Sequence, residues 1–200
     1  MGKAEKPQVS LAQKGKKGIS TLEELNFTAV DVETANSDVS SICQVGIAVV
    51  RSSRITHVWT QLVDPRDFFD PYNTAVHGID YDMVRGSPRF YEICERISEY
   101  LRETVVSHTF FDQRALSKAF TQCGKPLRWE TWVDSAQVAR RAWPEKYALR
   151  GYSLANIASD LGIRFRHHDA GEDARAAAQI VLKAYKETPS GINPLLNADT

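Results

Sequence analysis

The stretch Phe27-Thr-Ala-Val-Asp31-Val-Glu33-Thr34 decides the fold prediction for this chain. Its alternating, partly β-branched residues are typical of a short strand, and the apolar residues around the two acids predict that this strand is buried. Residues two apart on a strand point to the same face of a sheet, so the carboxylates of Asp31 and Glu33 are expected side by side. Two such acids repel each other and lose hydration, which destabilises the fold unless a positive group offsets their charge.

A divalent metal ion is one way to offset that charge. The alternative is that the pair lies on a solvated strand face or at a strand end. An Asp-x-Glu pair often arises by chance in a chain of 200 residues, so the pair alone is a weak signal.

The rest of the chain predicts an α/β fold. Two further strands with short links follow the first strand, which predicts an antiparallel meander. Helical spacing of apolar residues then alternates with short strands, so one mixed sheet with helices packed on it is expected. The predicted strands are residues 27–33, 42–50, 54–63, 105–107 and 131–134, and the predicted helices are residues 88–103, 112–123, 136–143, 153–161 and 173–185.

Two more acids and a histidine lie next to predicted helix starts. Asp112 follows the strand at 105–107, Asp173 opens an alanine-rich helix, and His168 precedes Asp173 by five residues. Each acid could instead be a capping residue that the helix dipole favours, and His168 a surface loop residue. Taken together, the four acids fit two-metal hydrolysis, which needs three or four converging carboxylates. Oxygen ligands of this kind suit Mg²⁺ or Mn²⁺.

Three ordered motifs resemble those of the DEDDh family of 3'–5' exonucleases. The first motif is the stretch that begins at Phe27. The second is Ser107-His-Thr-Phe-Phe111-Asp112-Gln-Arg-Ala-Leu116, and the third is His168-Asp-Ala170-Gly-Glu-Asp173-Ala174. Softer matches are Gln44-Val-Gly46 and His77-Gly78-Ile79, and the whole resemblance covers residues 26–186.

The resemblance implies an RNase H-like fold, in which a mixed central sheet of three antiparallel and then two parallel strands is flanked by helices. It implies hydrolysis that releases nucleoside monophosphates from the 3' end of nucleic acid. A single strand is the expected substrate, because the site must receive a free 3' end. Single-stranded DNA is favoured, and RNA stays open because the residues alone do not place contacts to the 2'-OH. Two ions, Mg²⁺ or Mn²⁺, are implied per site, and His168 is the implied general base. The implied metal ligands are Asp31, Glu33, Asp112 and Asp173, and the implied substrate contacts are Thr34 through its backbone, Phe111, and the loop from His77 to Ile79.

The second motif departs from the family pattern at two positions. Ser107 and His108 stand where the family usually has His and Asn, so the resemblance implies no substrate contacts for these two positions. It keeps Asp112 as a metal ligand. His167 is a rival for the general base, although its spacing to Asp173 is one residue too long for the motif.

Composition sets the expected organisation and setting. A basic disordered arm is predicted over residues 1–22, an exonuclease domain over residues 23–187 and a flexible tail over residues 188–200. The net charge of zero argues against tight non-specific binding to duplex. No apolar stretch is long enough to span a membrane, and three widely spaced cysteines indicate a reducing, cytoplasmic setting.

Two other kinds of function stay open on the sequence. One is a degenerate module that holds a nucleic-acid end without cutting, which the presence of all four acids and His168 disfavours. The other is a proofreading or processing subunit that acts mainly through a polymerase partner, and a homodimer is equally open. Between Lys125 and Arg166 there are eight basic and four acidic residues, which could guide a strand or form a solvated face.

Overall fold

The computed structural model describes residues 24–196, so the predicted arm over residues 1–22 lies outside the described residues. A five-stranded sheet with the order β3-β2-β1-β4-β5 forms its centre. Strands β1 to β3 pair antiparallel, and β4 and β5 run parallel to β1, which confirms the predicted mixed sheet. The strands are β1 Phe27–Thr34, β2 Ile42–Arg51, β3 Arg54–Leu62, β4 Thr104–Ser107 and β5 Thr131–Asp134.

Helices cover both faces of this sheet. The bounds are α1 Pro71–His77, α2 Tyr81–Val84, α3 Phe90–Tyr100, α4 Phe111–Gln122, α5 Ser135–Ala142, α6 Leu154–Asp160, α7 Ala170–Glu187 and α8 Pro189–Leu196. Helices α3 and α4 pack on one face, while α5, α7 and α8 pack on the other. No helix within residues 24–196 combines the length and hydropathy of a membrane span.

The alternation of side chains along β1 assigns the two acids to a face. Val30 and Val32 belong to the core beneath α3 and α4, whereas Phe27 and Ala29 belong to the core beneath α7. Asp31 and Glu33 continue the row of Phe27 and Ala29, so their carboxylates project on the α7 side. The apolar part of this row anchors the strand, and its polar end supplies the acids.

The prediction of a flexible tail over residues 188–200 is wrong for residues 189–196. These residues form α8, and Ile192 and Leu196 are buried in the same core as α7. Pro189 and Gly191 suggested a loose segment, but Pro is tolerated in the first turn of a helix. Burial of two large apolar side chains then stabilises a short helix that has weak intrinsic propensity.

Helices α1 and α2 were also absent from the sequence prediction. Helix α1 has no buried residues, so it lacks the apolar stripe that helical periodicity detects. Polar contacts hold it instead, since the side chain of Asp70 accepts a hydrogen bond from the backbone N–H of Tyr72, and Gly78 closes the helix in the left-handed region with φ 76°.

Candidate active site

Strand β1 places Asp31 and Glu33 next to two residues of β2 that contact α7. Asp31 pairs with Gly46 and Glu33 with Gln44 across the antiparallel ladder. A Cβ atom at Gly46 would lie 2.0 Å from the backbone C and O atoms of Ala170, so only glycine lets α7 approach this closely. The side-chain oxygen of Gln44 accepts a hydrogen bond of 2.9 Å from the N–H of Ala170. The first turn of α7 is therefore fixed over the acidic end of β1.

This contact gives Asp173 its position. Asp173 lies in the first turn of α7 and is 3% exposed. Its Oδ2 atom accepts hydrogen bonds from the ring Nδ1 of His167 at 2.9 Å and from the backbone N–H of His168 at 3.1 Å. Its Oδ1 atom is buried and has no hydrogen-bond partner within residues 24–196. A buried carboxylate oxygen without a donor is a site at which a cation would bind.

Helix α4 brings Asp112 to the same edge of the sheet. Strands β1 and β4 are parallel, so the carboxyl end of β1 and the loop after β4 meet at one edge. Asp112 is 3% exposed, and its Oδ1 atom accepts a hydrogen bond of 3.0 Å from the backbone N–H of Val32. The carboxylate of Asp112 is thereby tied to β1 between Asp31 and Glu33.

The four acids perturb one another's ionisation. Burial raises the pKa of Asp31 well above its usual range, and the charges of Asp112, Asp173 and Glu33 add to this effect. Burial and the neighbouring acids Asp173 and Asp112 raise the pKa of Glu33 to about 8. Burial also raises the pKa of Asp112 to about 7 and that of Asp173 in the same direction. The cluster therefore holds protons at neutral pH in the absence of a cation.

The geometry of the cluster fits a divalent metal. One carboxylate oxygen from each of Asp31, Glu33 and Asp173 lies within 4.8 Å of the others. Together with the unpartnered oxygen of Asp173, this all-oxygen donor set matches the ligands that Mg²⁺ and Mn²⁺ prefer. The structure thus brings the four predicted acids together, three of them within reach of one ion.

Two histidines lie at this site. The ring of His168 is 38% exposed, and its Nδ1 atom is 3.8 Å from Oε1 of Glu33. His168 has a φ of 64°, in the left-handed region that non-glycine residues rarely adopt. Its ring stacks on that of His167 with the centroids 3.9 Å apart. Burial and the neighbouring rings of His167 and His77 lower the pKa of His168, which keeps its imidazole neutral at neutral pH.

The predicted substrate contacts are arranged around Thr34. The carbonyl of Thr34 accepts hydrogen bonds from the side-chain amide of Asn73 at 2.9 Å and from Nε2 of His77 at 3.1 Å. The N–H of Ile79 donates to Nδ1 of His77, so His77 is a neutral ring with its proton on Nε2. Ile79 is 3% exposed and packs in a small apolar cluster. Phe111, the first residue of α4, is partly buried against the core.

Asn73 was not predicted as a site residue. It lies in α1, which the sequence prediction lacked, and its side chain donates to the carbonyl of Thr34, the residue after Glu33. The only available signal was Asp70-Pro71 followed by Gly78, which is typical of a short capped helix.

Two further acids near the cluster, Asp134 and Asp169, were also absent from the sequence prediction. Burial is the main cause that raises the pKa of Asp112, and the charge of Asp134 adds to it. Burial also raises the pKa of Asp31, and the charge of Asp169 adds to it.

The unusual pair Ser107 and His108 ties neighbouring elements together. Ser107 is fully buried and accepts a hydrogen bond of 2.9 Å from the indole N–H of Trp132. His108 bridges Oγ of Ser135 at 2.9 Å and the carbonyl of Tyr152 at 3.0 Å. The two residues therefore brace the end of β4 against β5, α5 and the loop before α6.

The mixed sheet with this strand order is that of the RNase H-like fold, and an acidic cluster lies at one edge of it. Strand β1 supplies Asp31 and Glu33 to this cluster, α4 supplies Asp112 and α7 supplies Asp173. The chain belongs to the RNase T exonuclease family, whose family model matches residues 28–181. This assignment confirms the resemblance of the three motifs to exonucleases.

Curated relatives match the same region. The 3'-5' exonuclease DinG of Staphylococcus saprophyticus is 29% identical over 169 residues, which cover 82% of this chain and 18% of that protein. The 3'-5' exonuclease DinG of Staphylococcus aureus strain MRSA252 is 26% identical over 166 residues, which cover 80% of this chain and 18% of that protein. The chain therefore spans about a fifth of the length of these relatives.

Solved structures show the same fold. Exonuclease X in complex with 5' overhanging duplex DNA has a TM-score of 0.66 and 20% identity, over 86% of this chain and 98% of that chain. E. coli Exonuclease I in complex with a dA16 oligonucleotide has a TM-score of 0.71 and 15% identity, over 84% of this chain and 42% of that chain. The nuclease domain of 3'hExo, a DEDDh family member bound to rAMP, has a TM-score of 0.68 and 13% identity, over 82% of this chain and 92% of that chain.

Proposed function

We propose that this chain removes nucleoside monophosphates from the 3' end of nucleic acid, with single-stranded DNA as the favoured substrate. The observation that carries the proposal is the convergence of Asp31, Glu33 and Asp173 on one point, with an unpartnered oxygen of Asp173. The direction of digestion is that named for the DinG relatives, and a dA16 oligonucleotide is the ligand of one structural neighbour.

The four acids hold two divalent ions, Mg²⁺ or Mn²⁺, in this proposal. When bound, such ions lower the pKa of the attacking water and offset charge on the leaving oxygen. Asp173 is oriented for this role by the N–H of His168 and the ring of His167. Asp112 is oriented by the N–H of Val32. Fixed carboxylates of this kind need little rearrangement when the ions arrive.

His168 serves as the general base in the proposed mechanism. Its lowered pKa keeps the ring nitrogen free to accept a proton at neutral pH. The strained backbone at φ 64° and the hydrogen bond from its own N–H to Asp173 fix the ring beside Glu33. His167 has its Nδ1 engaged with Asp173, so His168 is the better placed of the two rings.

The terminal nucleotide is proposed to bind between Phe111 and the segment around Thr34. Asn73 and His77 both hold the carbonyl of Thr34, which supports a rigid backbone at that point. His77 and Ile79 therefore contribute by shaping this wall of the site, since Ile79 itself is buried. Aromatic packing at Phe111 accepts any base, which suits an enzyme that digests one nucleotide after another.

The cytoplasmic setting is part of the same proposal. Cys43, Cys94 and Cys123 are free thiols in the structure, and free thiols are usual in a reducing compartment.

The proposal is tested with Asp31→Asn and Asp173→Asn, which keep the shape of each side chain and remove its charge. We expect both variants to lose at least about 1,000-fold in kcat/KM on a 3'-labelled oligonucleotide, corresponding to about 4 kcal/mol of lost transition-state stabilisation. Asp82→Asn is the matched control, because Asp82 is exposed in α2. Full activity of Asp31→Asn in a preparation that still depends on metal would contradict the assignment.

A further inference from the structure

A cavity lies beside the acidic site, and His167 is one of its lining residues. Its volume is about 500 Å³, and it lies between α6 and the segment that leads to the third motif. We call it the Phe165 pocket, defined by Ser159, Arg164, Phe165 and His167 among its lining residues. Its volume falls within the range of about 300–1,000 Å³ that is usual for small-ligand sites.

Three rings connect this pocket with the acidic cluster. The rings of Phe165 and His167 have centroids 5.4 Å apart, and those of His167 and His168 are stacked at 3.9 Å. Oδ2 of Asp173 also accepts a hydrogen bond of 2.9 Å from Nδ1 of His167. The wall of the pocket is therefore continuous with the residues assigned to metal binding and proton transfer.

Arg164 gives the pocket a positive charge that is not neutralised. Its side chain is exposed and has no ion pair or hydrogen bond within residues 24–196. The backbone carbonyl of Arg164 is fixed by a hydrogen bond of 2.7 Å from Arg175. The nearby acids already have basic partners, which are Lys146 for Asp160, Arg166 for Asp169 and Arg175 for Glu172.

We propose that the Phe165 pocket binds a nucleotide of the strand that is being digested, with the base against Phe165 and a phosphate at Arg164. Base stacking on an aromatic ring is tolerant of sequence, and an unpaired arginine suits a phosphate. This inference rests on the proposed exonuclease function and extends it to a second nucleotide site. Occupation of the pocket positions the strand and so lowers KM for substrates that are long enough to reach it.

The direct test is a scan with abasic nucleotides. A series of single-stranded ten-nucleotide DNA oligomers carries one abasic site at each successive position from the 3' end, and initial rates are measured on each oligomer. For the wild-type protein we expect one internal position, beyond the terminal nucleotide, at which the missing base raises KM about 5- to 100-fold, the range that one stacked base contributes. A scan that is flat beyond the terminal nucleotide would overturn the proposal.

Phe165→Ala assigns that position to the pocket. In this variant the sensitivity at the internal position should disappear, whereas Phe165→Trp should preserve it. A purely structural role of Phe165 predicts instead that Phe165→Ala slows all oligomers equally and leaves the abasic profile unchanged. That result would also overturn the proposal.

Arg164→Ala tests the phosphate contact. It should raise KM on the intact oligomer and make KM less dependent on salt concentration, because one phosphate contact is lost. Arg54→Ala is the matched control, since Arg54 is an exposed arginine at the start of β3 on another part of the surface. An equal effect of the two substitutions would remove Arg164 from the site.

A mononucleotide ester separates failure of this inference from failure of the proposed function. The p-nitrophenyl ester of thymidine 5'-monophosphate contains only the terminal nucleotide, so it reports the acidic site alone. The ratio of kcat/KM on the ten-nucleotide oligomer to that on the ester should fall at least 5-fold in Phe165→Ala. Metal-dependent hydrolysis of the ester with an unchanged ratio would reject the pocket and keep the exonuclease. No hydrolysis of ester or oligomer by the wild-type protein would reject the proposed function itself.

Discussion

The acidic cluster is the residue-level feature on which the proposed function depends. All four acids of the cluster are buried or partly buried, and the pKa of each is raised. They are Asp31, Glu33, Asp112 and Asp173. Such a group is unfavourable for a fold without bound cations, because buried like charges repel and are poorly hydrated. Its presence is therefore better explained by metal binding than by stability.

The two neighbouring histidines are predicted to differ in their contribution. His168→Ala should lower kcat by about 100- to 10,000-fold, the usual contribution of a general base, with metal affinity largely retained. His167→Ala removes one hydrogen bond to Asp173 but leaves the base, so kcat should fall by less than about 10-fold. Steady-state kinetics on a single-stranded oligonucleotide give kcat, and calorimetric titration with Mn²⁺ gives metal affinity.

This pair of variants also serves as its own control, because the two rings are stacked neighbours of similar exposure. A larger loss of kcat in His167→Ala than in His168→Ala would assign proton transfer to His167. An unchanged kcat in His168→Ala would remove that residue from the mechanism.

At the level of elements, the approach of α7 to β2 at Gly46 aligns the third motif with the first. The backbone of Ala170 occupies the space that a side chain at Gly46 would need, and Gln44 caps the contact with a hydrogen bond. A second close approach occurs at Gly171, where a Cβ atom would lie 1.9 Å from Oγ1 of Thr60. Two glycines, one on β2 and one on α7, therefore let α7 lie this close to the sheet.

Gly46→Ala should push the start of α7 away from β1. Because the new methyl group would meet backbone atoms at 2.0 Å, we expect a loss of about 1–3 kcal/mol in the free energy of unfolding. For a domain of this size, that loss lowers Tm by roughly 2–12 °C. We also expect lower metal affinity, because Asp173 moves with α7. Thermal denaturation and Mn²⁺ titration measure the two effects.

Gly191→Ala is the matched control for that substitution. Gly191 lies in α8, and a Cβ atom there would meet only the side chain of Thr188, at 3.0 Å. Its Tm should change by less than that of Gly46→Ala, and its metal affinity should not change. Equal affinity of Gly46→Ala and the wild-type protein for Mn²⁺ would show that the contact at Gly46 does not position Asp173.

The elements that sequence reasoning identified are those with a repeating apolar pattern. Strand β1 alternates and α3 carries an apolar stripe, so both were predicted close to their observed bounds. Helix α1 has no buried residue and α8 contains Pro and Gly, so local pattern did not indicate either helix. The four acids were predictable from three motifs in order. The roles of Asn73 and Gln44 were not, because each depends on a partner far along the chain.

At the level of the whole molecule, the acidic cluster links stability to pH and to metal. The pKa of Glu33 is raised to about 8 and that of Asp112 to about 7, whereas carboxyl groups in the unfolded chain titrate near pH 4. Between about pH 4 and pH 8 the folded protein therefore binds more protons than the unfolded chain, and metal-free stability falls as pH rises. Burial lowers the pKa of His77, His108 and His168, and these three groups act in the opposite direction, but only at and below about pH 6.5, where histidine in the unfolded chain titrates.

Thermal denaturation at pH 5, 6.5 and 8 checks this linkage. In EDTA we expect Tm to fall steadily across the three pH values. In Mg²⁺ or Mn²⁺ the fall should be smaller, because the ions bind the ionised carboxylates and compete with protons. Asp31→Asn should flatten the pH dependence in EDTA. A Tm in EDTA that rises from pH 5 to pH 8, or a metal effect that is equal at all three pH values, would contradict the assignment of the cluster as the metal site.

The most direct test of the central claim is digestion of matched single-stranded oligonucleotides labelled at the 3' end or at the 5' end. In Mg²⁺ or Mn²⁺, the 3'-labelled strand should release labelled mononucleotide from the first moments of the reaction. The 5' label should remain on a ladder of fragments that shorten with time, and EDTA should stop both reactions. No cleavage with either metal, or labelled mononucleotide released first from the 5' end, would contradict a 3'–5' exonuclease built on these four acids.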